Sequence, residues 1–257
     1  MLAVQRLNPT RMKPIKPDFG VDAPGVVRNF FLLGAVMMIG GLALKFFVGA
    51  KSWMLASLIG TGICGGAMWM ATAAWMLFGS RVLKVRFRER LLKGISWRGD
   101  ERVLDVGCGR GLMLIGAARR LTTGTATGVD LWQTQDQSGN SPDTTRANAL
   151  AAGVAERIEI RTGDARELPF ADGTFDVVLS SWALHNLYER ADREKAMREI
   201  VRVLKPGGRV LLVDIRHARE YAEVLRQAHL TDVQLSAPSF IFFIPSRTVS
   251  GRMASVT

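Results

Sequence analysis

Residues 103–111 read Val103-Leu104-Asp105-Val106-Gly107-Cys108-Gly109-Arg110-Gly111. A β-branched apolar run reaches a carboxylate and then breaks into three alternate glycines. Glycine lets the chain turn sharply and lets a ligand approach the backbone, and a helix beginning at Leu112 places free N–H groups behind the loop. Strand, glycine loop and helix together open an α/β crossover unit. The loop alone does not name a ligand. A dinucleotide-binding turn needs G-x-G-x-x-G, and Leu112 stands where its third glycine belongs.

Working outward, short β-branched runs alternate with helical periodicity. Strands are expected at 102–106, 126–130, 158–162, 175–180 and 209–215, and helices at 112–121, 142–152, 192–204 and 220–228. Asp192 and Glu194 suit the first turn of the third helix, and Lys205-Pro206-Gly207-Gly208 stops it. Runs at 233–236 and 240–244 are expected to add an antiparallel edge. The fold class is therefore α/β: a Rossmann-like, doubly wound, mostly parallel sheet with an antiparallel edge strand. Such sheets bind ligands beyond the carboxyl ends of their strands.

At those ends the spacing D-x-G-x-G-x-G of Asp105, Gly107, Gly109 and Gly111 resembles motif I of the class I S-adenosylmethionine-dependent methyltransferases. Further matches follow in order: Gly128-Val129-Asp130, Gly163-Asp164-Ala165, Leu168-Pro169-Phe170, Phe175-Asp176-Val177-Val178 and Arg202-Val203-Leu204-Lys205-Pro206-Gly207-Gly208. They are similar to the type 11 group, which includes ubiquinone/menaquinone-biosynthesis methyltransferases, over residues 100–235. The resemblance implies S-adenosyl-L-methionine as cofactor. It implies that Asp130, beside Leu131, takes both ribose hydroxyls, a task suited to a carboxylate because it only accepts hydrogen bonds. It further implies that Asp164 and Ala165 meet the adenine and that Ser180 lies at the cofactor's edge. Between Asp130 and the helix at Pro142 the chain is longer than this group usually has, and Trp132 in that loop either stacks on the adenine or is a surface aromatic.

Upstream the composition changes. Residues 1–100 carry 14 Lys/Arg against 4 Asp/Glu, which is +10 of the chain's +11. A nucleic-acid enzyme keeps its basic excess on the folded catalytic domain, so nucleic acid is not an expected partner. Residues 30–44 are uncharged, Lys45 intervenes before 46–50, and residues 53–78 form a second uncharged run of 26. At about 1.5 Å per residue these span roughly 32 and 39 Å, against a hydrocarbon core of about 30 Å. A two-helix transmembrane hairpin is expected, turned at Lys51-Ser52. Basic flanks Arg6, Arg11, Lys13, Lys16 and Arg28 on one side, and Arg81 to Lys93 on the other, place both ends in the cytoplasm by the positive-inside rule. The stretch 81–93, with Leu83, Phe87 and Leu91 at helical spacing, is expected either against anionic headgroups or packed on the next domain.

The expected organisation is a basic segment at 1–28, the hairpin at 29–79, a basic amphipathic linker helix at 80–99 and the methyltransferase domain at 100–257. On this reading a chain starting near Ser80 should fold and bind cofactor alone. The expected activity is methyl transfer at the cytoplasmic membrane face to a small, lipophilic substrate, with the bilayer itself a partner. A sulfonium methyl is already activated, so a base is needed only where the nucleophile must lose a proton. His185, in Ser181-Trp182-Ala183-Leu184-His185-Asn186-Leu187, is the candidate catalytic base, expected to face the methyl; packing is its alternative role. Two cysteines make no disulfide framework, and no metal spacing appears. The rival readings are a non-catalytic membrane scaffold with a relic cofactor fold, and a nicotinamide-dependent oxidoreductase.

Overall fold

A computed structural model of the protein describes residues 16–133, 139–240 and 245–255. Arg6, Arg11 and Lys13, the loop positions 134–138 and the end of the expected 240–244 run lie outside the described residues. The uncharged run from Trp53 sets the second helix to the residue: α2 is Trp53–Phe78, capped by the Ser52 hydroxyl, which accepts from the Leu55 N–H at 3.3 Å. The first, α1 (Pro24–Phe47), starts earlier than its uncharged run, with proline in its opening turn where no N–H is missed. The two pack through glycines. A Cβ on Gly34 would come within 2.7 Å of the Gly66 carbonyl oxygen, and one on Gly62 within 3.1 Å of the Gly41 Cα, so larger residues would part the backbones. Leu32, Val36, Ile39, Phe46, Trp53 and Leu58 point outward, exposed. By length and composition both helices are able to cross a membrane.

A π-helical turn, Gly79–Leu83, carries α2 into α3 (Lys84–Lys93). One face of α3 is buried through Lys84, Phe87, Arg88 and Leu92, while Arg81, Arg86, Arg90 and Lys93 face out. Of the two alternatives for this stretch, the buried face is packed on the sheet domain. The segment before α1 returns to the same place. Asp18 exchanges two hydrogen bonds with Asn148, backbone N–H to Oδ1 and Nδ2 to carbonyl, both at 2.8 Å. Arg110 donates to the Asp18 carbonyl at 3.0 Å and to its carboxylate at 2.9 Å. Residues 18–22 thus form a strap across the domain.

Among the described residues the sheet has seven strands: β1 (Arg102–Val106), β2 (Thr125–Asp130), β3 (Ile158–Thr162), β4 (Phe175–Ser181), β5 (Leu204–Asp214), β6 (Thr231–Leu235) and β7 (Arg247–Arg252), in the order β3-β2-β1-β4-β5-β7-β6. The first five pair in parallel, and β7 runs antiparallel to β5 and β6. The helices between strands are α4 (Leu112–Ala118), α5 (Pro142–Ala151), α6 (Arg190–Val203) and α7 (Ala218–Gln227). Ser141 caps α5 ahead of Pro142, as its sequence suggests, accepting from the Thr144 N–H at 3.1 Å. Alternate residues of β1 point to opposite faces. Leu104 joins the core beneath α6 and α7, with Val178, Met197 and Ile200, while Val103 joins the core beneath α3 and α4, with Leu114 and Leu179. Phe19 and Leu92 belong to that second core, so the strap and α3 are built into the domain's interior.

One strand was not expected and one expectation needs correction. Besides β6, the antiparallel edge contains Arg247–Arg252, while 241–244 of the expected 240–244 run lie outside the described residues. The stop signal Lys205-Pro206-Gly207-Gly208 ends α6 but is itself an irregular start to β5, where pairing jumps from Leu204 opposite Phe175 to Arg209 opposite Val177.

Candidate active site

A cavity of about 530 Å³ opens at the carboxyl ends of β1 to β4. That lies within the roughly 300–1,000 Å³ typical of small-molecule sites. Gly107, Gly109, Asp130, Leu131, Asp164 and Ala165 all line it. Gly107 takes a left-handed φ of 70°, and a Cβ there would collide with the Ala183 side chain arriving from the end of β4, so the turn requires glycine.

Asp130 is already engaged. Its Oδ2 accepts from the Gly109 N–H at 2.9 Å, and its Oδ1 from the Trp132 N–H at 2.7 Å and from Asn140 Nδ2 at 3.2 Å. A carboxylate has about four lone-pair directions, and donors among the described residues occupy three of them, the Asn140 contact being the longest. Asp164 is chelated by Arg166, whose Nη2 lies 2.6 Å from Oδ2, and Arg166 also reaches Asp192 at 2.8 Å. Those hydrogen bonds hold the Asp164 carboxyl below the usual carboxylate range. Trp132 turns its indole Nε1 to the Thr162 hydroxyl at 2.9 Å.

Three expected cofactor residues stand outside the wall. Gly111 caps α4 with a φ of 85°, Ser180 is buried within β4 while Ser181 reaches the cavity, and Asp105 is buried beneath the loop. Asp105 Oδ2 accepts from the Leu114 N–H at 2.8 Å, so it braces the start of α4. Burial first, and the Asp130 charge next, push its carboxyl up to about 8 against the pull of the Leu114 hydrogen bond. The folded chain therefore keeps a proton that the unfolded chain gives up near pH 4, and this share of stability falls as pH rises from about 4 to about 8. Asp105→Asn is isosteric and does not ionise. The variant should gain melting temperature relative to the parent between pH 5 and pH 8; a constant difference across that range would mean Asp105 is ionised throughout.

His185 does not face the cavity, although its neighbours Leu184 and Asn186 do. Its Nδ1 sits 2.6 Å from Asp214 Oδ1, off line for a hydrogen bond, and its backbone N–H donates to Asp214 Oδ2 at 3.0 Å. Asp214 also accepts from the Tyr221 hydroxyl at 3.2 Å, so the buried carboxylate at the end of β5 turns the imidazole away. His185→Phe is expected to keep cofactor affinity within about threefold and turnover within about tenfold. A loss of about 10²–10⁴ in turnover would restore the base role. Burial also pushes the Cys108 thiol up, which leaves no thiolate there at neutral pH.

Sequence reasoning missed the part of the wall made by Phe19, Asp22, Lys84 and Trp182. Trp182 adopts a left-handed φ of 50°, with its Nε1 on the Ser246 hydroxyl at 2.9 Å and its ring 6.1 Å from that of Phe87. One signal was available. Asp18 and Asp22 are the only carboxylates before Glu89, which is odd in so basic a leader.

The methyltransferase-domain family, type 11, matches residues 104–212. This chain carries a type 11 methyltransferase domain. The family's cofactor, S-adenosylmethionine, fits the wall: a carboxylate tied to a glycine loop for the ribose, and a cavity of suitable volume. A methyltransferase named GfsG from Streptomyces halstedii is 35% identical over 130 residues, 51% of this chain and 43% of its own length. A demethylmenaquinone methyltransferase from Symbiobacterium thermophilum is 31% identical over 161 residues, 62% of this chain and 59% of its own. The chain thus spans about half the length of the curated relatives it matches. A crystal structure of a methyltransferase from Aquifex aeolicus superposes with a TM-score of 0.52 at 19% identity, covering 67% of this chain and 92% of that one, and shows the methyltransferase domain's fold.

Proposed function

We propose that the chain is a membrane-anchored methyltransferase that uses S-adenosylmethionine on a small, lipophilic acceptor at the cytoplasmic membrane face. The observation that carries this reading is the continuity of α2, an exposed apolar helix, with α3, whose Lys84 walls the cavity holding Asp130 and the glycine loop. The site is therefore fixed at the foot of the hairpin, within reach of an acceptor partitioned into the bilayer. The relative named for demethylmenaquinone supports an acceptor of quinone type. The exposed cations Arg28, Arg81, Arg86, Arg90 and Lys93 flank the hairpin and favour a cytoplasmic site by the positive-inside rule. We take Gly107, Gly109, Asp130, Leu131, Asp164 and Ala165 as residues that touch the cofactor, with Asp105, Gly111 and Ser180 shaping the loop and strand that carry them.

Bound cofactor supplies an electrophilic methyl on a sulfonium, and the chain's part is to orient donor and acceptor and to exclude water. Leu184, Leu187 and Trp182 give the acceptor side an apolar lining. Calorimetric titration of the purified full chain tests the reading. S-adenosylhomocysteine should bind one to one and NADH should give no heat; the reverse pattern would identify an oxidoreductase, and silence with both a scaffold.

A further inference from the structure

Asp164 lies past β3 and Asp130 ends β2, so a nucleoside held by them leaves its remaining tail on the far side of β1, toward β4. The wall there is set by α3. One turn beyond Lys84, the Arg88 guanidinium donates to the Leu112 carbonyl at 3.2 Å, at the start of α4; between them, Phe87 packs on Trp182, just past β4. Lys84 therefore sits over the gap between the β1 and β4 ends. Its ammonium is buried, with 2% of the side chain exposed, and its protons go to the Phe19 carbonyl at 3.0 Å, the Gly20 carbonyl at 2.9 Å and the Asp22 carboxylate, Oδ2 at 3.1 Å and Oδ1 at 3.3 Å. The Asp22 backbone N–H is pinned in turn to the buried Ser80 hydroxyl at 3.0 Å. Asp22 is thus held rigidly from both sides, yet 39% of its side chain stays exposed at the cavity.

Among the described residues five carboxylates line the cavity: Asp22, Asp130, Asp164, Glu189 and Asp192. Asp130 ties the glycine loop, Asp164 and Asp192 share Arg166, and Glu189 is solvent-exposed at the rim. Asp22 takes the Lys84 ammonium between its two oxygens, Oδ1 at 3.3 Å and Oδ2 at 3.1 Å, and each oxygen keeps a further lone pair to give. A neutral donor would serve the two carbonyls equally well, whereas an ammonium is buried at a desolvation cost that its carboxylate partner helps the carbonyls to offset. The pair is suited to receive a second cation on the open side of the carboxylate.

Building on the cofactor reading above, we propose that Asp22, positioned by Lys84, is a further binding residue that accepts the α-ammonium of the cofactor's amino-acid tail. It lies in the strap before α1, outside the segment matched to the methyltransferase family.

The test compares two ligands on the intact chain by calorimetry. S-adenosylhomocysteine carries the ammonium, and 5′-methylthioadenosine lacks the whole amino-acid tail. Asp22→Asn, which still accepts a proton from Lys84, should weaken S-adenosylhomocysteine by about 10- to 100-fold, the loss of one charged hydrogen bond, and leave 5′-methylthioadenosine within about threefold. Asp18→Asn, which loosens the strap without touching the cavity, should move both ligands together or neither. Equal weakening of both ligands by Asp22→Asn would overturn the proposal and make Asp22 a strap anchor only, as would no change in either. An unmodified chain that binds neither ligand would overturn the cofactor reading along with this one, so the two failures are distinguishable.

Discussion

Asp130→Ala should cost S-adenosylhomocysteine about 2–4 kcal/mol of binding, roughly 30- to 700-fold in Kd. Two effects add. A charged acceptor is lost to the ribose, and the Gly109, Trp132 and Asn140 donors that Asp130 gathers are released, so the glycine loop loses its tether. Asp130→Asn separates them, because an amide oxygen still accepts a hydrogen bond while the charge is gone. Its loss should fall between that of the parent and that of Asp130→Ala. An unchanged Kd in Asp130→Ala, read by calorimetry, would take Asp130 out of the site.

The second large effect concerns where the chain is cut. A chain starting at Ser80 keeps every motif of the methyltransferase domain but strips Lys84 of Phe19, Gly20 and Asp22, and Arg110 and Asn148 of Asp18. Phe19 also leaves the core it shares with Leu92 and Leu114, and burying one Phe side chain is worth about 1.5–3 kcal/mol. The expectation that this truncation is near-native therefore gives way: it should unfold at lower denaturant and bind cofactor weakly. A different excision should succeed. The Asp22 N–H and the Ser80 hydroxyl are in hydrogen-bond contact, so a short Gly-Ser linker replacing residues 23–79 bridges the strap to α3 directly. That chain should be soluble, keep near-native cofactor affinity and methylate a short-chain acceptor, while losing most activity on a bilayer-embedded one, where the anchor no longer raises local concentration. Denaturant midpoints and calorimetry on the two truncated forms decide the matter; equal behaviour would show that the strap contributes nothing.

What was legible in the sequence was what local chemistry determines. The limits of α2 follow from an unbroken uncharged run, and the cavity's Gly107, Gly109, Asp130 and Asp164 follow from motifs a few residues long at strand ends. What was missed depends on partners far away in the chain. Strand β7 reads Arg-Thr-Val-Ser-Gly-Arg, with no apolar run to announce it, and is a strand because β5 and β6 pair with it. For His185 the sequence left a base role and a packing role open, and the contact that favours packing comes from Asp214, 29 positions later. The strap is tied to Lys84, Arg110 and Asn148, as much as 130 residues away, and no periodicity within it signals such a contact. Only its two stray carboxylates stood out.

The central claim is methyl transfer to a membrane-soluble acceptor, and it is tested most directly by incubating the full chain in native-lipid vesicles with methyl-labelled S-adenosylmethionine and following the label into the solvent-extractable fraction. The account predicts label in a lipophilic product, dependent on the chain and strongly reduced by Asp130→Ala. Tight cofactor binding with no label in that fraction, or label found only in a water-soluble product, would contradict it.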